Sequence, residues 1–300
     1  MKKKAFIEET AKIVFIICAA VAIFAVCAIT IYMFIKGAPA LKEVGVIDLL
    51  FKTIWKPTAS EPLYGISYII SASIVGTTAA VLLGVPIGLM TAVYISEIAG
   101  KKAGNLVRTA IELLAAIPSV IYGLIGMMVL NPLMFKLEQK VFAGDSTHQF
   151  TGGANMLSAI IVLAIMILPT VISVSTSSLK AVSDNLRAAS LALGATKEQT
   201  IFKVVIPAAK SGILTGAVLG IGRALGEAMA INMVAGGAVN IPLPFNSVRT
   251  LTTQIVSEMG YAQGLHRQVL FTVGLVLYIF IMIVNYILLR VRKAGVDDAD

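Results

Sequence analysis

The sequence predicts an all-α integral membrane protein with six transmembrane helices, and three observations support this fold class. Only 13% of the 300 residues are charged, about half of the ~25% usual in soluble domains. Apolar residues make up 58% of the chain, and they fall in long blocks. The blocks do not alternate polar with apolar positions as barrel strands do. A soluble enzyme, a disulfide-linked extracellular scaffold and a disordered protein are therefore all disfavoured.

Six apolar stretches are long enough to cross the hydrocarbon core, which takes about 20 helical residues. The first follows three lysines. The second, third and fourth contain proline, the fifth contains two charges, and the sixth ends before a basic cluster. In chain order the stretches are 13–35, 66–95, 110–134, 156–178, 211–236 and 269–289.

The stretches divide the chain into three parts. Residues 1–65 hold an N-terminal cytoplasmic segment, the first membrane helix and an outer loop. Residues 66–290 form the membrane core, in which residues 179–210 make a cytoplasmic loop between the fourth and fifth helices. Residues 291–300 form a cytoplasmic tail.

The distribution of lysine and arginine predicts the orientation. With the N-terminus inside, 15 Lys and Arg residues lie in the cytoplasmic segments and 8 in the outer segments. Cytoplasmic loops carry the excess of positive charge in membrane proteins, so both termini are expected in the cytoplasm. The net charge of +8 is then explained by topology and contact with membrane lipid rather than by nucleic-acid binding.

Motifs that would support catalysis by this chain are missing from the sequence. There is no G-x-x-x-x-G-K-[ST] phosphate loop, so ATP hydrolysis by this chain is not expected. His148 and His266 lie alone in different outer loops without ligands at metal-binding spacing, which predicts exposed side chains and no metal site. The function classes that remain are transport and a scaffolding role.

The fifth predicted helix carries the most informative pattern in the membrane. At about 100° per residue, Gly212, Gly216, Gly220, Arg223 and Glu227 fall on one face. Small residues allow close approach of another helix or leave room for a solute. Because an arginine at the membrane centre costs at least about 2.5–3.5 kcal/mol, a partner must offset that cost. Glu227, one turn away, is in reach as an i,i+4 neighbour.

Two interpretations of this face remain open. In the first, Arg223 and Glu227 form a structural ion pair that fixes helix packing. In the second, both line a translocation pathway with Gly216 and Gly220, and Arg223 meets an anion. Arginine offers a rigid set of donors suited to oxyanions, and Glu227 would hold Arg223 when the site is empty.

The cytoplasmic loop is predicted to form two short helices. Ser183 begins the first as an N-cap residue, and Gly194 ends it. Thr196 and Gln199 form a capping-box pattern for the second, which ends at Pro207.

The apolar side chains of this loop suit a groove on another protein, unless they pack within the loop itself. They are Ala189, Leu191, Leu193 and Ala195.

The loop resembles the "EAA" loop of ABC-importer permeases, whose pattern is E-A-A-x3-G-x9-I-x-L-P. Gly194 occupies the glycine position and Pro207 the proline position. Ala188, Ala189 and Ser190 occupy the E-A-A positions. Ala188 departs from the family glutamate, which removes any polar contact that this glutamate would make.

Further segments resemble the permease of the phosphate-specific transport (Pst) system, PstC type. They are residues 112–124 (ELLAAIPSVIYGL), 189–196 (ASLALGAT), 223–230 (RALGEAMA) and 248–252 (VRTLT). The likeness is collinear over roughly residues 55–290, and the 223–230 stretch is the part that points to phosphate.

The resemblance implies a type I ABC-importer permease fold, with one N-terminal helix added to a five-helix core. It also implies that the chain lies in the cytoplasmic (inner) membrane and forms a heterodimer with a second permease subunit. An ATPase subunit dimer and an external phosphate-binding protein are the other implied partners. No cofactor is expected in this chain, since the partner ATPase binds ATP. In the family, the residues that match Arg223 and Glu227 are implicated in phosphate passage. The expected ATPase-coupling residues are Ala188, Ala189, Ser190, Leu193, Gly194 and Ala195.

Three alternatives stay open at this level. The chain could be a permease for another oxyanion such as sulfate or molybdate. It could be an ATP-independent carrier in which Glu227 handles protons, although the EAA-like loop argues against this. It could also be a scaffold subunit that signals phosphate status.

Overall fold

The computed structural model describes the backbone of residues 2–297 and the side chains of residues 8–287, 289 and 290. Long first and last helices, α1 (Lys2–Glu43) and α14 (Gly264–Asp297), pack against each other. One contact between them is at Gly37, whose carbonyl oxygen accepts a hydrogen bond of 2.8 Å from Thr272 Oγ1. A side chain at Gly37 would meet the backbone nitrogen of Thr272 at 3.1 Å, so the glycine permits this contact.

Short elements cover one end of these helices. They are helix α2 (Val46–Phe51) and an antiparallel hairpin of β1 (Trp55–Lys56) and β2 (Leu63–Tyr64), in which Trp55 pairs with Tyr64. The later helix α13 (Leu251–Glu258) packs on α14 beside them. We call this end of the bundle the far end.

The centre of the bundle is the pair of helices α3 (Ser67–Val93) and α7 (Met156–Lys180). Glycines on α3 allow close packing, because a Cβ at Gly84 would lie 2.6 Å from Ile167 Cδ1 and one at Gly88 would lie 2.8 Å from Val171 Cγ1. A π-helical turn at Tyr94–Ile98 extends α3. Both helices end at the opposite side of the bundle, which we call the loop end.

The third predicted span has wrong bounds. Instead of one helix over 110–134, the chain forms α4 (Lys101–Ala116) and then a break before α5 (Ser119–Ile125). The break is at Ile117, whose extended ψ of 125° is the conformation favoured before a proline, here Pro118. Past α5, a π-helical turn at Gly126–Leu130 leads into α6 (Asn131–Val141), and the membrane-length segment is Ser119–Val141.

The fifth predicted span, 211–236, is also interrupted. Helix α11 (Lys210–Gly226) ends before Glu227, and the short α12 (Met229–Val234) follows. At its other end α11 is bent by 69° from the preceding helical segment Lys197–Ala208. That segment and the loop before it consist of α8 (Asp184–Ala192), α9 (Lys197–Thr200), a π-helical turn at Ile201–Val205 and α10 (Ile206–Ala208).

Five helices in the described part of the chain are long and apolar enough to cross a membrane, or six if the bent pair counts as one span. This agrees with the predicted all-α membrane class. Helix α7 is the central span, because 61% of its most apolar stretch is buried, against 33% or less in the other four.

Replacing Gly84 by valine should destabilise the bundle by about 1–3 kcal/mol, the usual cost of overpacking. The added side chain would meet Ile167 and the carbonyl oxygen of Ala164, which lies 3.0 Å from an ideal Cβ. Differential scanning fluorimetry of the purified protein measures the effect. Gly100→Val is the matched control, because no heavy atom lies within 4 Å of a Cβ there. Equal unfolding midpoints for the two variants would contradict the packing argument.

Candidate translocation site and loop surface

Helix α11 uses most of its small residues to pack on α7. A Cβ at Gly216 would lie 3.3 Å from Val174 Cβ, and one at Gly220 would lie 3.0 Å from Val171 Cγ2. Both glycines are buried. The structure therefore places Gly216 and Gly220 in a helix–helix contact, because α7 packs on the face that they present; their role in a pathway stays a prediction.

The open face of α11 carries other residues. No heavy atom lies within 4 Å of a Cβ built at Gly222 or Gly226, and Leu219 is 50% exposed. Arg223 is half-buried and lies about 60° around the helix from Gly226, at about 100° per residue. Arg223 thus stands at the border between the face packed on α7 and the open face.

The predicted i,i+4 pair of Arg223 and Glu227 is not formed. Helix α11 ends at Gly226, and Glu227 is extended with ψ of 124°, so the helical spacing on which the pairing depends is lost. The Glu227 carboxylate instead accepts a hydrogen bond of 3.0 Å from the backbone N–H of Ala230. Its carbonyl oxygen accepts one of 2.8 Å from Thr252 Oγ1.

Arg223 has no hydrogen bond or ion pair with any residue that the structure describes. The Tyr122 hydroxyl of α5 donates instead to the carbonyl oxygen of Leu114 near the end of α4, over 2.8 Å. An unpaired guanidinium at membrane depth costs about 2.5–3.5 kcal/mol or more, so this position is suited to an anion supplied from outside the chain.

The 248–252 segment joins this site to the far end. Arg249 donates to the Glu258 carboxylate at 2.5 Å and to the carbonyl oxygen of Gly237 at 2.7 Å. Glu258 also accepts from Trp55 Nε1 at 3.0 Å. The buried carboxylate of Glu258 therefore connects the β1–β2 hairpin, the 237 segment and α13.

Both histidines differ from the prediction of exposed side chains. His266 is 8% exposed, and its Nε2 lies 2.8 Å from Glu258. His148 Nε2 lies 2.9 Å from Glu138, a fully buried carboxylate. Each partner lies 8 or 10 positions earlier in the chain, across a turn, so neither helix nor strand spacing indicated these contacts.

The loop between α7 and α11 has the predicted local structure. Ser183 caps α8 by accepting from the N–H of Asn185. Gly194 has a φ of +85°, a conformation that costs glycine little and other residues more. Thr196 and Gln199 form the capping box. The second helical segment continues through Pro207 to Ala208, because a proline is tolerated in the first turn of α10.

The residues expected to couple to an ATPase lie on the surface of this loop. Leu193 is 90% and Leu191 50% exposed, so neither packs within the loop. Ser190 is half-buried because its hydroxyl contacts Thr200 Oγ1 at 2.9 Å. The others are exposed or half-buried: Ala188, Ala189, Gly194 and Ala195.

Sequence reasoning missed the ion pair that fixes this loop to the bundle. Arg187 Nη2 lies 2.9 Å from Glu97 Oε1, in the π-helical turn at the end of α3. The same guanidinium donates to the carbonyl oxygen of Leu179 at 2.8 Å, and the hydrogen bond that it donates to the Glu97 carboxylate raises the pKa of Arg187. The two residues are 90 positions apart in the chain, so no local pattern could have indicated the pair.

Arg187→Ala should loosen the loop, because it leaves the Glu97 carboxylate, only 9% exposed, without its cation. Breaking a buried pair costs about 3–5 kcal/mol, so amide hydrogens in 184–192 should exchange faster. Hydrogen–deuterium exchange measures this. Asp184→Asn is the matched control, since Asp184 contacts the same arginine at 3.1 Å but is 99% exposed. Unchanged exchange in Arg187→Ala would show that the pair does not hold the loop.

Comparison with known proteins gives a consistent result. Residues 84–296 match the family described as "Binding-protein-dependent transport system inner membrane component". A "Probable ABC transporter permease protein YqgH" of Bacillus subtilis is 37% identical over 93% of this chain and 90% of its own length. A "Phosphate transport system permease protein PstC" of Xylella fastidiosa is 34% identical over 86% of this chain and 84% of its own.

Solved structures show the same fold at low sequence identity. A bacterial alginate ABC transporter in complex with a periplasmic protein has a chain that superposes with a TM-score of 0.59, at 18% identity over 91% of this chain and 95% of that chain. The MetNI methionine ABC transporter gives a TM-score of 0.51 at 20% identity, over 77% and 94%. With its family match and these relatives, the chain belongs to the family of inner membrane components of binding-protein-dependent transport systems.

Proposed function

We propose that this chain is the transmembrane permease subunit of an ATP-driven inorganic phosphate importer and forms half of its translocation pathway. The observation that carries the proposal is Arg223, a guanidinium without an ion-pair partner in the described structure, at the border of an open helix face. Relatives at 32% and 34% identity over most of the chain are named phosphate transport permeases, which supports phosphate as the anion.

Arg223 would bind phosphate as it crosses the membrane. A guanidinium donates two parallel hydrogen bonds to an oxyanion, and it stays protonated at any physiological pH. Gly222 and Gly226 leave the adjacent face open, so an anion could approach the guanidinium closely. Glu227 keeps its carboxylate on the N–H of Ala230, so in this conformation it does not compete with an anion for Arg223.

A second permease subunit would cover the open face of α11 and supply the other half of the pathway. Gly222 and Gly226 face open space and Leu219 is 50% exposed in the described chain, as expected for a surface that meets another subunit. A related but distinct chain, giving a heterodimer, fits the resemblance to the PstC-type permease.

The loop end would face the cytoplasm and receive an ATPase subunit dimer. Leu191 and Leu193 are exposed and form an apolar surface of the kind that mediates contact with another protein. Arg187 fixes the loop to the end of α3. ATP binding would move this surface and switch the pathway between inward-facing and outward-facing states. The far end would receive an external phosphate-binding protein.

Arg223→Ala should reduce phosphate uptake at least about tenfold, because a hydrogen bond to a charged group contributes about 1.5–3 kcal/mol. The measurement is uptake of labelled phosphate into vesicles that contain the co-expressed complex. Arg223→Lys is the control that retains a cation at the same position. Copurification of the partner subunits checks that both variants assemble.

Normal uptake by an assembled Arg223→Ala complex would refute the role of Arg223. Competition by unlabelled sulfate or molybdate, stronger than by phosphate, would favour a permease for another oxyanion. Uptake by the purified chain without an ATPase would favour an ion-coupled carrier.

Leu193→Asp should uncouple ATP hydrolysis from transport. The side chain is 90% exposed, so the substitution leaves the fold of the loop intact but places a charge at the expected ATPase contact, where an unpaired buried charge is costly. The ratio of phosphate transported to ATP hydrolysed should fall several-fold. Leu193→Met, which keeps an apolar side chain, should keep the ratio. A normal ratio in Leu193→Asp would remove this residue from the interface.

A further inference from the structure

A cavity lies at the loop end, between α4 and α7. Its volume is about 130 Å³, roughly ten times the space that one water molecule needs on this measure. Its walls combine apolar side chains with a set of bases and hydroxyls. The polar lining residues are Arg108, Glu112, Ser173, Thr176, Ser177 and Lys180, and the apolar ones are Ile95, Ile111, Ala115, Pro169 and Ile172.

The cavity carries an excess of positive charge. Arg108 Nε donates to Glu112 Oε1 at 2.8 Å, which uses one edge of the guanidinium and leaves both terminal nitrogens for another acceptor. Lys180 has no ion pair among the residues that the structure describes. With one carboxylate against two cations, an anion would find one uncompensated positive charge.

The hydroxyl of Thr176 gives an independent sign that a ligand belongs here. Thr176 is only 8% exposed, yet its Oγ1 has no hydrogen-bond partner. Threonine in a helix commonly donates to the carbonyl oxygen four residues earlier, as Thr215 does to Ser211 at 2.8 Å. Burial without a hydrogen-bond partner is unfavourable for a hydroxyl, and a ligand oxygen that enters the cavity would accept a hydrogen bond from it.

Lining residues of α7 place their polar groups along one side of the cavity. Ser173, Thr176, Ser177 and Lys180 follow at i, i+3, i+4 and i+7, the spacing of neighbours on one helix face. Arg108 and Glu112 face them from α4. Donors therefore approach the cavity from two helices, which suits a ligand with several acceptor oxygens.

We propose that this cavity binds a phosphate group through Arg108, Lys180 and the Thr176 hydroxyl. The group is either free inorganic phosphate on the loop side or the headgroup phosphate of a membrane phospholipid. Arg223 does not line the cavity, so the site is separate from the one proposed for transport and does not depend on it. Arg108 and Glu112 are 63% and 62% exposed and Lys180 is exposed, so the charged edge of the cavity is open to a free anion or to a lipid headgroup.

The test uses the full chain in its assembled complex, with Arg223→Ala in every sample. A difference in phosphate binding between the test and control variants then reports on the cavity, because Arg223 is replaced in both and the partner subunits are the same in both. The test variant carries Thr176→Val and Lys180→Gln. Its matched control carries Thr215→Val and Lys210→Gln, the same chemical changes on α11 outside the cavity lining.

Two probes distinguish the sources of the phosphate group. In phospholipid-free detergent, binding of radiolabelled inorganic phosphate should weaken at least about tenfold in the test variant if free phosphate is the ligand. In nanodiscs of phosphatidylglycerol, native mass spectrometry should show fewer phospholipids retained by the test variant if a headgroup is the ligand. Either result, absent from the control variant, supports the site.

Unchanged phosphate affinity together with unchanged phospholipid retention in the test variant would overturn the proposal. Thr176→Val alone keeps nearly the same side-chain shape, so it guards against a test variant that fails to fold. It should weaken binding in the same assay that detects the double variant, and full binding by a folded Thr176→Val protein would remove the hydroxyl from the site.

Discussion

Close approach of α3 and α11 to α7 is the constraint on which the rest of the structure depends. Helices in a membrane gain no hydrophobic free energy from association, so they are held by close packing. Gly84 and Gly88 bring α3 to Ile167 and Val171, and Gly216 and Gly220 bring α11 to the same stretch of α7. Because α11 is committed to α7 on this face, its other face is left open and Arg223 is set at the border between them.

The break at Glu227 has a cost that distant residues offset. Backbone groups inside a bilayer have no water to bond with, so each needs a partner from the protein. Thr252 donates to the freed carbonyl oxygen of Glu227, and Ser73 accepts from the N–H of Leu251 at 2.9 Å. The Glu227 carboxylate in turn accepts a hydrogen bond from the backbone N–H of Ala230. The 248–252 segment is thereby tied to Glu227 at the end of α11, and it leads into α13, which carries Glu258 and the contacts of the far end.

The loop end combines a rigid base with an exposed surface. Arg187 fixes the start of α8 to Glu97 at the end of α3. Leu193 is almost fully exposed and directly precedes Gly194, where the chain turns between α8 and α9. The departure of Ala188 from the family glutamate leaves this surface more apolar than the family pattern, because the alanine is exposed and carries no polar group.

The sequence by itself determined the membrane class, the approximate spans and the local structure of the loop, because hydropathy, caps and glycine turns depend on near neighbours in the chain. Tertiary structure alone decided which glycines pack and which stay open, that α11 stops before Glu227, and that Arg187 meets a carboxylate 90 residues away. It also decided that His266 is buried against Glu258. These outcomes depend on which other element of the chain packs against a given helix face. An apolar helical sequence offers several equivalent faces, so it does not indicate which of them will be covered.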